Sequence, residues 1–264
     1  METKDTLYIG GEWVAPSTGN TIEVISPTTE EVIARVPEAA EADVDRAVEA
    51  AKAALAGPYP QLSPDERAEY IVKLSQAIQA RSGELAETIT AEMGSPSSWA
   101  IMGQVLAPSM VFDGWADLAR TFPFEEIRPG ALGPVLVRKE PVGVSAGIIP
   151  WNVPLFIVAL KLGAALAAGS PMILKPSPET PLDSYILGEI LDEIGLPKGM
   201  VSILPAGREV GEYLVRHPGV DKVGFTGSTA AGRKVGAICG ELLKRCTLEL
   251  GGKSAAIILD DADL

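Results

Sequence analysis

Five short polar clusters in a largely apolar C-terminal half carry the side chains that could do chemistry: Pro150-Trp151-Asn152, Lys175-Pro176-Ser177, Ala206-Gly207, Thr226-Gly227-Ser228 and Gly251-Gly252-Lys253. Asn152 lies between Pro150 and Pro154, a rigid turn that either aims its carboxamide N–H2 at a developing oxyanion or lets it bond its own backbone. Lys175 follows the apolar run PMIL and should emerge at a sheet's rim, to meet ribose hydroxyls or a phosphate or simply to sit in water. Glu249 stands in TLELGG with leucine on both sides. A carboxylate at an apolar strand end tends to have a raised pKa, which suits a general base near neutral pH; the alternative is a strand-end glutamate facing water. The stretch Phe225-Thr226-Gly227-Ser228 precedes a helical pattern and offers backbone N–H groups and the Ser228 hydroxyl to an anion, or is an ordinary N-cap.

The common nucleotide fingerprints are missing. No G-x-G-x-x-G follows an expected strand. Gly227 to Lys234 nearly matches a phosphate-binding loop, but Arg233 stands where lysine is required and Lys234 where a magnesium-binding hydroxyl belongs. The GGKS at Gly251–Ser254 has Thr247 in place of the first glycine, which argues against a kinase or ATPase. Two cysteines, Cys239 and Cys246, and one histidine make neither a disulfide framework nor a conventional zinc site, and no metal is expected. Both thiols read as buried packing residues, and His217, before Pro218, as a helix C-terminal cap.

These clusters need a frame that brings strand ends together. After Pro141 apolar strands alternate with amphipathic helices: VGVSAGII, a helix at 155–168, PMILK, a helix at 182–195, MVSILP, a helix at 209–216, VDKVGFT, a helix at 230–243, TLEL and AAIIL. That alternation predicts an α/β fold, an open parallel sheet covered by helices, whose ligand sits at the carboxyl ends of the strands. Residues 7–36 read as an edge sheet or a pair of hairpins, with turn signals at Gly10-Gly11 and Gly19-Asn20. From Ala39 the apolar spacing becomes helical; Ser63-Pro64-Asp65-Glu66 is a capped helix start, and helices are expected over 64–81, 82–92 and 98–119, with Trp99, Phe112 and Trp115 on a buried stripe. Residues 123–140 read as two strands about a Pro/Gly turn, a β-arm. The expected organisation is 1–122 N-terminal strands and helices, 123–140 β-arm and 141–264 the α/β core.

Composition narrows the function classes. In 264 residues, 22 Lys and Arg against 35 Asp and Glu give a formal charge of −13, too anionic for a backbone-neutralising nucleic-acid surface. The uncharged stretch 141–160 is long enough to span a bilayer, but its three prolines, its glycines and Asn152 argue against it. Acidic residues at Glu2 and Asp5 do not suit a signal peptide, and the expected location is cytoplasmic.

IIPWNVP, KPSPETP, FTGS and LELGGK, in this order on successive strands of one α/β unit, closely resemble the aldehyde dehydrogenase superfamily, and the IGGEW start and the helical block resemble it too. The resemblance implies a Rossmann-like cofactor domain binding NAD or NADP, with an aldehyde as substrate. It implies Asn152 as oxyanion-hole donor and Glu249 as the base activating water against a thioester. By the same resemblance Lys175 holds the adenosine ribose, with Ser177 beside it. Ile148, Ile149 and Trp151 form the cleft wall, Gly207 and Gly211 let the adenine approach, Gly227 and Ser228 meet the pyrophosphate, and Phe225, Thr226 and Leu250 complete the cofactor site.

Two departures stand out. Many NAD-preferring relatives carry glutamate three residues after the lysine; here Pro178 stands there and Glu179 follows, leaving the choice of dinucleotide open, with steric relief for a 2′-phosphate as an argument for NADP. The family's cysteine nucleophile lies downstream of LELGGK, and neither Cys239 nor Cys246 matches it. The chain is therefore expected to be the cofactor-binding part of such an enzyme, a fragment or split gene product without the catalytic domain and inactive alone. Alternatively it is a non-catalytic dinucleotide-binding or assembly protein. A homo-oligomer or a complementary catalytic half is the expected partner, with no nucleic acid and no membrane.

Overall fold

The computed structural model describes residues 2–263. Among the described residues twelve strands form three sheets. The main one takes β2 (Leu7–Ile9), β3 (Glu12–Val14), β8 (Ser145–Ile148), β9 (Met172–Lys175), β10 (Val201–Ile203), β11 (Lys222–Gly227) and β12 (Arg245–Leu250) in the order β12-β11-β8-β9-β10-β2-β3. From β12 to β10 all pairs are parallel. The β2–β3 hairpin then closes that edge antiparallel to β10, with Ile203 opposite Tyr8. Gly10 and Gly11 form its two-residue turn at φ +61° and +81°, the positive pair that a tight twisted hairpin requires.

The expected N-terminal strands thus divide between sheets. A separate sheet takes β4 (Thr21–Ile25) and β5 (Val32–Pro37) with β1 (Glu2–Thr3), in the order β1-β5-β4. The third sheet is the expected arm, β6 (Glu125–Gly130) paired in register with β7 (Gly133–Arg138).

Helices cover both faces of the main sheet. On one lie α2 (Pro64–Ala80), α3 (Ser82–Met93), α5 (Ala107–Thr121), α6 (Pro154–Ala168) and α7 (Leu182–Glu193), whose Ile71, Leu85, Phe112, Leu162 and Ile190 share one core. On the other lie α1 (Glu41–Leu55), α8 (Arg208–Arg216) and α9 (Thr229–Glu241), packed through Val44, Val48, Leu214 and Ile238 onto Val223 and Ala146. The α2 start is a full capping box: Ser63 Oγ accepts from Glu66 N and Glu66 accepts from Ser63 N, with Pro64 leading the helix. Among the described residues no helix is long and apolar enough to cross a membrane.

Three expectations need correction. The helix read over 98–119 is broken: α4 (Ser97–Trp99) widens into a π-helical turn, Ala100–Leu106, before α5 begins with Pro108 in its first turn. A proline cannot donate the bond that a continuous α-helix needs there, and the shifted register removes that demand. Trp99 is 58% exposed rather than on the buried stripe. Its indole lies over Gly103, whose missing Cβ would fall 2.6 Å from the ring. AAIIL at 255–259 forms no strand; Ile257, Ile258 and Leu259 are exposed and have no neighbouring strand to pair with among the described residues.

Candidate functional site

The order of strand addition reverses at β8, with every strand still parallel: β8, β9 and β10 are laid down one way across the sheet, and β11 and β12 the other. Such a switch point opens a crevice at the carboxyl ends of the strands. The registers set the candidate residues in one row along that edge, with Lys175 opposite Ile148, Ile148 opposite Phe225, Thr226 opposite Glu249 and Gly227 opposite Leu250. Ile148, Ile149 and Phe225 are buried, while Trp151 is 55% exposed beside them.

Lys175 is not at a solvated rim; it is 7% exposed. Its ammonium donates to Pro176 O at 2.8 Å and Ala206 O at 2.6 Å. Burial lowers its pKa to about 8, against the pull of Glu179 and Glu38. Two of its three donors are used, so one N–H remains for a ligand. Gly211, in α8, gives the lysine stem its path: a Cβ there would lie 3.2 Å from Lys175 Cδ. Gly207 caps α8, and its N–H donates to Glu38 Oε1 at 3.3 Å.

Ser228 caps α9, accepting from Ala231 N at 3.2 Å. The capping alternative is therefore realised, and it coexists with an anion site, since other first-turn N–H groups of α9 remain available. Just before it, the Thr226 hydroxyl is buried without a hydrogen-bond partner among the described residues. Ser177 donates to the Glu179 carboxylate, and Thr180 N bonds back to Ser177 O at 3.2 Å, closing a turn with Pro178 at its second position. An orphaned hydroxyl, a buried ammonium with one N–H left over and the remaining first-turn N–H groups of α9 together fit a dinucleotide.

Asn152 and Glu249 are both exposed. The Asn152 backbone carbonyl accepts from Gln104 Nε2 at 3.1 Å, and its carboxamide has no partner among the described residues, so the self-satisfied turn is not what the structure adopts. The environment read for Glu249 needs correction. Alternate residues of a strand point to opposite faces, and Leu248 and Leu250 contact α9 beside Gly236 and Gly232. The flanking leucines thus point away from the carboxylate and do not desolvate it.

Glu249 does act electrostatically on Lys161, a residue the sequence reading missed. It is the one charge in the apolar helix α6, and a lone lysine in such a run was the signal available. Burial lowers its pKa to about 8, with Glu249 the first opposing influence. Glu38 was missed as well; it sits in the junction between β5 and α1 with no local motif.

The thiols differ from each other. Cys239 is buried in α9, as read, but Cys246 is exposed. Cys246 shares the strand face of Leu248, toward α9 and away from Glu249. His217 ends α8 as expected, and its Nδ1 accepts from Gly219 N at 3.0 Å.

The model of the "Aldehyde dehydrogenase family" matches residues 13–264. Among curated proteins the chain is 42% identical over 260 residues to a geranial dehydrogenase from Castellaniella defragrans, covering 98% of the chain and 54% of that protein. It is 43% identical to a 3-succinoylsemialdehyde-pyridine dehydrogenase from Pseudomonas, with the same 98% and 54% coverage. Among solved structures, an aldehyde dehydrogenase from Mycobacterium tuberculosis complexed with NAD+ superposes with a TM-score of 0.95 at 44% identity, covering all of this chain and 55% of that one. A mutant aldehyde dehydrogenase from Pseudomonas syringae, complexed with NAD+ and octanal, gives 0.92 at 39% identity, covering 98% of this chain and 53% of that one. The chain spans about half the length of the relatives it matches.

Proposed function

The chain belongs to the aldehyde dehydrogenase family, and from that premise we propose that it is the dinucleotide-binding part of an enzyme oxidising an aldehyde to a carboxylic acid. When bound, NAD or NADP supplies the hydride acceptor. The chain's own residues bind and orient. Lys175 gives its remaining N–H to an adenosine ribose hydroxyl, with Ser177 and its turn alongside. Ile148, Ile149, Trp151 and Phe225 wall the cleft, Gly207 and Gly211 leave room for the adenine, and Leu250 borders the loop from β12. Gly227, Ser228 and the first turn of α9 meet the pyrophosphate, and the Thr226 hydroxyl gains a partner from the bound cofactor. The Asn152 amide donates to the oxyanion that develops on the aldehyde oxygen, and Glu249 takes a proton from the hydrolytic water.

The thiol nucleophile is assigned to neither cysteine of this chain. Cys246 faces α9 rather than the Asn152 and Glu249 side, and burial of Cys239 pushes its thiol up to about 11. The exposed apolar residues Ile127, Leu132 and Leu136 of the arm offer a surface for a second copy or for a catalytic portion.

The buried Lys175 ammonium, with one of its three N–H donors left over, carries this reading. Calorimetric titration of the chain with NAD, alongside an assay for aldehyde-dependent reduction, tests it. Saturable 1:1 binding without turnover is the expected result. Turnover by the chain alone would place a nucleophile at Cys239 or Cys246 and overturn the assignment of roles.

A further inference from the structure

Cys239 and Cys246 meet at a corner of the fold away from the crevice. Cys246 lies near the amino end of β12, whereas the crevice lies at the carboxyl ends of the strands. The turn that closes α9 is built on Cys239 itself. Leu243 adopts φ +54°, Lys244 N donates to Cys239 O at 2.8 Å and Leu243 N donates to Gly240 O at 3.3 Å, the two bonds of a Schellman motif. The chain passes from that turn directly into β12. Side chains alternate along the strand, so Cys246, Leu248 and Leu250 share the face toward α9. A Cβ at Gly232 would lie 2.2 Å from Leu250 Cδ2, and one at Gly236 would lie 3.3 Å from Leu248 Cδ1. Each step of two residues back along β12 thus matches one turn forward along α9, and the next rung sets Cys246 against Cys239 and Gly240. A Cβ at Gly240 would meet nothing within 4 Å, so the rung is open on that flank. Cys246 accordingly acts on the Cys239 thiol, both through charge and through a side-chain hydrogen bond.

The two thiols are unequal. Cys246 is exposed and meets dissolved oxidants, while Cys239 is buried and held protonated, pushed up to about 11 chiefly by desolvation. An exposed thiol without a second sulfur beside it oxidises stepwise to the sulfinic acid, which thiols do not reverse. We propose that Cys239 and Cys246 form a modification site in which a hydroperoxide oxidises Cys246 and Cys239 resolves the product into a reversible disulfide joining the end of α9 to the start of β12. The Cys246 thiol gives up its proton and its sulfur attacks the hydroperoxide; the O–O bond breaks, and the leaving oxygen takes that proton as water or an alcohol. Cys246 is left as a sulfenic acid. The Cys239 sulfur then attacks the Cys246 sulfur, the S–O bond breaks, and the Cys239 proton departs with the hydroxyl as water. A dithiol reductant restores both thiols and is itself oxidised to a disulfide. The site is independent of the dinucleotide reading.

The test is treatment of the folded wild-type chain with hydrogen peroxide, followed by alkylation in denaturant and mass spectrometry without reduction. Cleavage after Lys244 and Arg245 places the two cysteines on different tryptic peptides, so a bridge between them appears as a linked pair. The expected result is that linked pair, an intact mass lower by two hydrogens, both thiols lost together, and full recovery with dithiothreitol. Under the same treatment Cys246→Ser is expected to keep Cys239 reduced. Cys239→Ala is expected to let Cys246 run on to sulfenic and sulfinic acids, so that the chain gains oxygen where the wild type loses hydrogen. Sulfinic acid at Cys246 with Cys239 still reduced in the wild type overturns the proposal. So does a dimer joined through Cys246 of two chains, or a wild type that keeps both thiols at a peroxide dose that oxidises free cysteine.

Discussion

The Glu92 carboxylate accepts from the backbone N–H of Asp183 at 3.1 Å, and from that of Leu182 at 2.7 Å, so that one buried acid caps a helix whose second residue is another buried acid. Both side chains are almost completely inaccessible, at 2% and 1% exposure. Asp183 Oδ1 accepts from Ser184 Oγ, while its Oδ2 has no partner among the described residues. Helix N-termini favour negative charge, which accounts for Glu92 there, but among the described residues no cation offsets the second carboxyl. Desolvation, with Asp183 as a second influence, raises Glu92 well above the usual carboxylate range; desolvation likewise pushes Asp183 up to about 7.

A folded-state pKa above the unfolded one means that the native chain holds the proton more tightly. Its stabilising effect is complete below the unfolded value near 4 and is lost as pH rises through the folded value near 7. Across that window stability should fall, by up to about 1.4 kcal/mol per pH unit for each proton held. Asp183→Asn keeps an acceptor for Ser184 and cannot ionise. Denaturant unfolding between pH 5 and pH 8 is expected to show a slope in the wild type that is reduced in this variant, with the variant the more stable at pH 8. Parallel profiles would show that Asp183 does not titrate in that range.

Packing between α5 and α6 depends on a glycine. A Cβ at Gly163 would lie 2.4 Å from Cδ1 of the Trp115 ring, which cannot flex away as a long side chain would. Gly163→Ala sets an overpacking cost of about 1–3 kcal/mol against about 1 kcal/mol of improved helix propensity, so the clash wins. At Gly114, exposed in α5, a Cβ meets nothing within 4 Å, and only the propensity gain applies. Thermal unfolding should therefore move down for Gly163→Ala and slightly up for Gly114→Ala. Equal shifts would mean that the Trp115 ring does not rest on Gly163.

The sheet is legible in the sequence because strand and helix periodicities alternate locally, and that alternation also places the five polar clusters at strand ends. What stayed hidden depends on contacts distant in sequence. Whether Lys175 was solvated or buried could not be read from PMILK; burial comes from Ala206 and Gly211, beyond β10. The leucines around Glu249 suggested an apolar pocket in one dimension, yet strand alternation turns them to the opposite face. Glu38 carries no motif, and only the fold brings it to Gly207. AAIIL has the composition of a strand but no partner edge to join among the described residues.

The two thiols should react very differently. Cys246 is exposed on β12, whereas Cys239 is buried and raised to about 11, chiefly by desolvation and then by its neighbour Cys246. Alkylation requires both thiolate and access. Native-state treatment with iodoacetamide at pH 8, read by peptide mass spectrometry, should label Cys246 first and Cys239 only on unfolding. Comparable rates would place Cys239 nearer the surface than α9 packing allows.

The sharpest test of the site is a graded one at Lys175. Lys175→Met removes a charged donor and also leaves Pro176 O and Ala206 O without the N–H groups that satisfied them. A hydrogen bond to a charged group is worth about 1.5–3 kcal/mol, so NAD affinity should fall roughly 10- to 100-fold. Gly211→Ala leaves the ammonium in place but sets a methyl 3.2 Å from Lys175 Cδ. The flexible lysine stem can yield by a few tenths of an ångström, displacing its head slightly, and a loss of a few fold is expected. Calorimetry on both variants should give wild type tightest, Gly211→Ala intermediate and Lys175→Met weakest. A purely structural lysine would show its effect in the thermal midpoint while leaving that order of affinities flat.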